Sequence, residues 1–345
     1  MRLGGPAKYV IDIEKLDDIT PAFDFVAEKN LPFYILGGGA NTIAKDDGFN
    51  GVIIRNTMTG IVEDGITRTG GGAGGSPMES LDDMGEAATA GPVRIITIMG
   101  GTDWDAVVAY TTERGLTGIE ALSKIPGTAG AAPVQNIGAY GQELADTFLS
   151  AEVYDIKNKS FKTLQKSDFG FSYRRSILNS TKKGQYFVIS ITLELKPGTM
   201  SRPFYNSIER YIDEHHCTDF SPAGIRNIVS IIRSDKLPDP AKKASAGSFF
   251  KNIYLTEDEA KTAESKNIPV YHGHDGLKIN SGWLIEQCGL KGKLLHGIRV
   301  CDAAALVLIN ESATSYDDLA AARTEIIKSV HDKFGYQLEQ EPNEI

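Results

Sequence analysis

The segment GIEALSKIPGTAGAAPVQNIGAYG, residues Gly118 to Gly141, decides how the rest of the chain is read. It carries too much glycine for a stable helix, and Pro126 and Pro133 exclude it from the middle of a sheet. Apolar Ile119, Leu122, Ile125, Val134 and Ile137 alternate with Gly127, Gly130, Gly138 and Gly141, a pattern foreign to a linker. Two readings are open. One is a buried connector made of tight turns; the other is backbone laid against a large flat ligand, with glycine where no side chain fits.

Around this segment lies a chain of 345 residues, enough for two or three domains. Hydrophobic residues make up 41% and charged residues 23%, the balance of a soluble globular protein with real cores. No apolar run approaches the roughly 18 residues that a membrane span requires, and no secretory signal pattern is expected at the start. The only cysteines, Cys217, Cys288 and Cys301, lack CxxC spacing, which fits buried thiols in a reducing, cytoplasmic compartment. A net charge of −9 argues against a general nucleic-acid surface. His215-His216-Cys217 has no second ligand cluster at a suitable spacing, so no metal site is expected.

Local signals give an alternating start. Tyr9 to Ile13 reads as a strand, and a helix opens at Thr20-Pro21 and stops at Asn30. A short apolar strand, the turn LGGGAN (Leu36 to Asn41) and a strand from Gly51 to Arg55 follow. Thr67 to Pro92 is rich in Gly, Ser, Ala and acid, and reads as a surface insertion. Val93 to Met99 predicts a strand, and Thr102 is placed as the cap of a helix over 103–114. Ala151 to Ile156 and Ser160 to Gln165 form a predicted hairpin. Phe187 to Leu195 alternates as a half-buried strand. Helices are predicted near 223–234, 257–265 and 282–288, and from Ser315 to Gly335, with one strand over 300–309. Strands and helices in separate runs imply an α+β protein.

LGGGAN alone is a weak signal: consecutive bare N–H groups can form a nest for a pyrophosphate, and a plain strand–turn–strand is equally consistent. Paired with IPGTAGAAPVQNIGAYGQE it is more telling. These two motifs, followed in order by SYRRS (172–176), KLPDP (236–240), AGSFFKN (246–252), INSGWLIEQCGLKG (279–292) and ALVLIN (305–310), resemble the UDP-N-acetylenolpyruvoylglucosamine reductase family. The likeness spans nearly the whole chain except the insertion.

The resemblance implies non-covalently bound FAD in a domain of the vanillyl-alcohol-oxidase type made of two α+β parts, residues 1–58 and 59–235, and a substrate-binding α+β domain over 236–345. NADPH is the implied co-substrate, a soluble nucleotide sugar the substrate, and a monomer or weak oligomer the implied form. By likeness Gly37, Gly38, Gly39, Ala40 and Asn41 wrap the FAD pyrophosphate, and Pro126, Gly127, Gly130, Asn136, Gly138, Ala139 and Tyr140 line the flavin. Arg174 matches the arginine that steadies an enolate beside the substrate carboxylate, a task suited to a bidentate guanidinium. Ser248 matches the proton donor and Glu341 the third catalytic group, with Glu339 its alternative in Leu338-Glu339-Gln340-Glu341. Where the family continues with Val-Arg, this chain has Pro342-Asn343. Tyr205, on a predicted lid, Lys236, Asn252 and Gln287 match substrate-binding positions.

Two other functions remain open on the same scaffold. A flavin-linked oxidase is disfavoured because none of the six histidines lies in either glycine motif. A non-catalytic flavin- or nucleotide-sugar-binding relative is the other.

Overall fold

The computed structural model describes residues 1–67, 92–239, 242–273 and 276–345. All but the ends of the expected insertion, Thr67 to Pro92, lies outside the described residues. The chain opens with a three-stranded parallel sheet in which Phe49–Asn56 sits between Ala7–Ile13 and Phe33–Leu36. Parallel pairing needs a crossover, supplied by the helix Ile19–Lys29, which buries Ile19, Phe23 and Val26 against Ile13, Val52 and Ile54. Its N-cap is Asp18, two residues earlier than Thr20-Pro21 indicated, and Asn30 ends it in the left-handed conformation, φ 49°.

An antiparallel sheet follows, ordered Ser160–Gln165, Phe148–Asp155, Tyr186–Pro197, Val93–Met99 and Ile61–Thr67. Its central strand, expected to be half-buried, is covered on both faces. A register shift opposite Glu152 and Val153 explains how. Phe187 and Ile189 join the N-terminal core, whereas Val188, Ile191, Leu193 and Leu195 join a second core with Trp104, Val107 and Phe148. The helix Trp104–Thr112 is capped by Asp103, which accepts from the Ala106 N–H, and not by Thr102. The Thr102 hydroxyl instead bonds Gly60 on a neighbouring segment, so tertiary contact won over local capping.

Between this sheet and the last domain stands a helix pair. Asn206–His215, absent from the sequence reading, packs Ile208 and Ile212 against Ile225, Val229 and Ile232 of Pro222–Lys236. The remaining chain builds a four-stranded antiparallel sheet ordered Ala244–Ser248, Val307–Asn310, Ile298–Val300 and Leu294–Leu295. The strand expected within 300–309 is Val307–Asn310, and it pairs antiparallel with Ile298–Val300, the chain reversing between them. Helix Tyr316–Phe334, with Ser315 in a capping box and Gly335 at φ 78°, buries Leu319, Ala322, Ile326 and Val330 on this sheet. The chain then crosses back: Asn343–Glu344 pairs in parallel with Thr42–Ile43 beside the first glycine turn.

Candidate active site

The two glycine motifs meet face to face. A Cβ on Gly38 would stand 3.0 Å from the Gly127 Cα, and one on Gly37 would stand 2.7 Å from the Ala131 Cβ. The Gly127 backbone at Gly38 and the Ala131 methyl at Gly37 leave little room for a side chain at either. Gly39 (φ 69°) and Gly127 (φ 132°) have open space on their Cβ sides. The slot between the motifs is lined by Gly37 to Thr42, Pro126 to Thr128 and Asn343. It adjoins a cavity of about 570 Å³ walled by Phe33, Ile35, Val134, Phe187 and Val188. A backbone-lined slot opening into an apolar chamber fits a dinucleotide, with pyrophosphate on the glycines and adenine between apolar walls. The residues present therefore fit FAD.

Several of the residues expected to line the flavin have other structural partners here. Gly130 packs on Gly100, whose Cα would lie 3.0 Å from an added Cβ. Asn136 is buried and left-handed (φ 46°), but its amide donates to Glu143 at 2.7 Å and its carbonyl accepts from Ala145 N–H at 3.0 Å. Its side chain braces the loop, and Asn136 itself is not among the residues that line the slot. Gly138–Ala139 and Gln142–Glu143 form a tight hairpin whose tip residues, Tyr140 (φ 50°) and Gly141 (φ 86°), are both left-handed. The Tyr140 ring meets Tyr205 edge to face at 5.8 Å.

Arg174 and Glu341 are brought together from 167 residues apart, Arg174 Nε donating to Glu341 Oε1 at 3.0 Å. Both are largely buried, at 17% and 9% side-chain exposure. Arg174 Nη2 also donates to the Gly138 carbonyl at 3.0 Å. An added Cβ at Gly138 would lie 3.3 Å from Arg174 Nη1, so this glycine also gives the guanidinium room. Burial pushes the Glu341 carboxyl above its ordinary value against the pull of Arg174. Arg174 sits at φ 54° in a turn where Ser172 and Arg175 exchange backbone hydrogen bonds. Asn136, Tyr140 and Arg174 are thus three strained backbones in one site. Glu339, the alternative acid, is exposed and pairs with Lys251.

Ser248 ends its strand beside left-handed Gly247, and its neighbour Phe249 accepts the Glu341 N–H at 2.9 Å. Ser248 and Glu341 are therefore carried on adjacent, paired segments. Asn252 shares an open groove with Tyr173, Arg174 and Lys251, and its Oδ1 accepts from Ser281 N–H. Lys236 and Gln287 are not brought to this site. Lys236 ends its helix in a separate cleft with Ser207, Arg210 and Tyr211, where burial and then Arg210 depress its pKa. Gln287 is exposed at a helix end, its carbonyl accepting from Lys333.

The sequence reading missed Arg233. It lies in a cavity of about 530 Å³ with Ala40, Pro126, Leu237 and Gly247, between the glycine motifs and the last domain. Burial lowers its pKa, and Tyr140 is its polar neighbour. Its Nε is buried without a hydrogen-bond partner. The only signal in the sequence was a cation three residues before KLPDP, on a helix with no other functional mark. Among the described residues no helix is long and apolar enough to cross a membrane, and no cluster of His, Cys, Asp and Glu is placed to hold a metal ion.

The chain is similar to known proteins. Residues 7–162 match the family described as FAD binding domain, and residues 239–345 match UDP-N-acetylenolpyruvoylglucosamine reductase, C-terminal domain. The UDP-N-acetylenolpyruvoylglucosamine reductase of Vibrio parahaemolyticus serotype O3:K6 is 33% identical over 335 residues, 96% of this chain and 88% of that protein. That of Burkholderia orbicola strain MC0-3 is 36% identical over 321 residues, 91% of this chain and 84% of that protein. The crystal structure of the Thermus caldophilus reductase shares the fold, with a TM-score of 0.60 at 20% identity, covering 97% of this chain and 91% of that one. Fold and site together define a flavin-dependent oxidoreductase of α+β architecture. The chain belongs to the UDP-N-acetylenolpyruvoylglucosamine reductase family.

Proposed function

We propose that this chain reduces UDP-N-acetylglucosamine enolpyruvate to UDP-N-acetylmuramate in peptidoglycan precursor synthesis, with NADPH as reductant and FAD held non-covalently between the glycine motifs. The observation that carries this reading is the buried Arg174–Glu341 pair set against the hairpin of the second glycine motif. FAD bound in that slot supplies the hydride that adds to the terminal carbon of the enolpyruvyl group.

The remaining work falls to the protein. As hydride adds, charge builds on the substrate carboxylate and the adjoining carbon, where a fixed cation in a dry site stabilises it most. Arg174 supplies that cation; Glu341 and the Gly138 carbonyl hold it in place through two of its N–H groups, leaving others for the carboxylate. Ser248 then gives its hydroxyl proton to the adjoining carbon, completing addition of one hydride and one proton across the double bond. Glu341 orients Arg174 by accepting its Nε–H. Asn252, Tyr205 and Arg233 hold the nucleotide sugar, Arg233 through its free Nε toward phosphate. The unpaired cysteines Cys217, Cys288 and Cys301 support a reducing, cytoplasmic setting, and a monomer or weak oligomer is the working form.

An absorbance spectrum tests this directly. The purified protein should be yellow, bleach with NADPH, and recover colour when the enolpyruvyl nucleotide sugar is added without oxygen. A yellow protein that bleaches yet does not recover colour with that substrate points to an oxidase or a non-catalytic relative, and a colourless one that takes up no FAD ends the flavin reading.

A further inference from the structure

The last residues of the chain lie across the groove between the two glycine motifs, and their side chains alternate between two surroundings. Gln340 and Glu344 point to Arg323 on the helix Tyr316–Phe334. Glu341 points the other way, to Arg174. Past a bend at Pro342, Asn343 reaches the glycine-lined slot. Its backbone is pinned, the Asn343 N–H donating to the Asn41 carbonyl at 3.0 Å. Asn41 in turn donates to Gln135 Oε1 at 2.6 Å, so the first glycine turn, the second glycine motif and the C-terminal strand meet here.

Asn343 lines both the apolar cavity of about 570 Å³ and the glycine-lined slot. It therefore stands at the junction, where a dinucleotide passes from its apolar chamber onto the glycine backbone. Its side chain makes no hydrogen bond among the described residues, although its main chain is held on a paired strand. A carboxamide with a free donor, lining a slot walled by the glycine turn, suits an anion.

We propose that Asn343 is a direct ligand of the cofactor, its carboxamide N–H donating to the FAD pyrophosphate where the C-terminal strand closes the groove. This rests on the flavoprotein reading above and extends it: the C-terminal segment that presents Glu341 to Arg174 also holds the cofactor, two residues further on.

The test is FAD affinity, measured by quenching of flavin fluorescence as FAD is titrated into apoprotein stripped from the purified holoenzyme. Asn343→Ala should weaken binding roughly tenfold, the usual loss for a hydrogen bond to a charged group. Asn343→Asp keeps the shape but replaces a donor with a negative charge, and should weaken it further, by roughly 100-fold. Glu344→Gln, on the opposite face, should leave affinity within about twofold although it disturbs the same strand. Thermal midpoints of the apoproteins identify any variant that has simply failed to fold, and the Asn343→Asp comparison with Asn343→Ala is then made on those that remain folded. Unchanged affinity in both Asn343 variants overturns the proposal while leaving a flavoprotein. Equal losses in Asn343→Ala and Glu344→Gln overturn it as well, since a loosened strand would then explain them. Wild-type protein that binds no FAD would sink the underlying reading instead.

Discussion

In the proposed mechanism Ser248 is the proton donor, and that role separates from those of its neighbours in time. Its hydroxyl matters only after hydride has reached the substrate, so Ser248→Ala should leave flavin bleaching by NADPH intact. Reoxidation by the nucleotide sugar should slow by at least ~10²-fold, the usual size of lost acid catalysis. Stopped-flow absorbance follows the two half-reactions separately, and equal losses in both would contradict the assignment. Arg174 shows how much of the site the sequence could carry. Its identity was legible in SYRRS, and Arg175 beside it is exposed, as a solvated neighbour should be. What the sequence could not carry is the reason Arg174 is buried: a carboxylate 167 residues away and a glycine carbonyl 36 residues away. Arg233 was illegible for the same reason, because nothing local marks an arginine whose neighbours are Tyr140 and Ala40.

At the scale of elements, Asp105 ties three pieces of the site into one. It lies in the first turn of Trp104–Thr112 and accepts two bonds from Arg226, at 2.6 and 3.0 Å, on the helix that carries Arg233. It also accepts from both the backbone and the Nζ of Lys124, just before Pro126-Gly127. Burial alone would raise its pKa, but the bonds from Arg226 and Lys124 outweigh burial and hold the carboxyl well below its usual range. A depressed carboxylate stabilises the fold above the ordinary value of 3.8, and loses that effect as pH falls below it. Asp105→Asn should therefore cost about 2 kcal/mol near neutrality, with about 1 kcal/mol of the difference gone by about pH 3. Urea midpoints of the two proteins across that range measure it; a gap that ignores pH would remove the charge from the explanation. Elements with strong local instructions were legible, as in Ser315 to Gly335, where cap, apolar spacing and terminal glycine agree. Asn206–His215 was not: its N-cap, Tyr205, makes no side-chain cap, and only Ile208 and Ile212 are buried, too few to stand out as a period. Likewise the short strand Ile298–Val300 escaped notice, because three residues next to a turn carry no period of their own.

Across the whole molecule, the sequence announced an α+β protein with two facing glycine motifs, and the structure supplies the way its parts interlock. Thr67 and Val93 are partners on neighbouring antiparallel strands, so the chain leaves and re-enters the sheet at the same place. Replacing residues 68–91 with a two-residue Asn-Gly turn should thus leave the unfolding midpoint and FAD content essentially unchanged. Calorimetry and the flavin-to-protein absorbance ratio check this, and loss of FAD would make that segment part of the cofactor site. A different consequence follows from the hydrogen bond between Asn41 and the Glu341 carbonyl, which joins residues 300 positions apart. Closing so long a loop adds little free energy, since each doubling of length costs only about 0.6 kcal/mol. It does set the order of folding. Helices and hairpins form from near neighbours, whereas the Arg174–Glu341 pair and the slot between the glycine motifs must await contacts across nearly the entire chain. Catalytic competence is therefore among the last properties that a refolding molecule regains, well after its helical signal has returned.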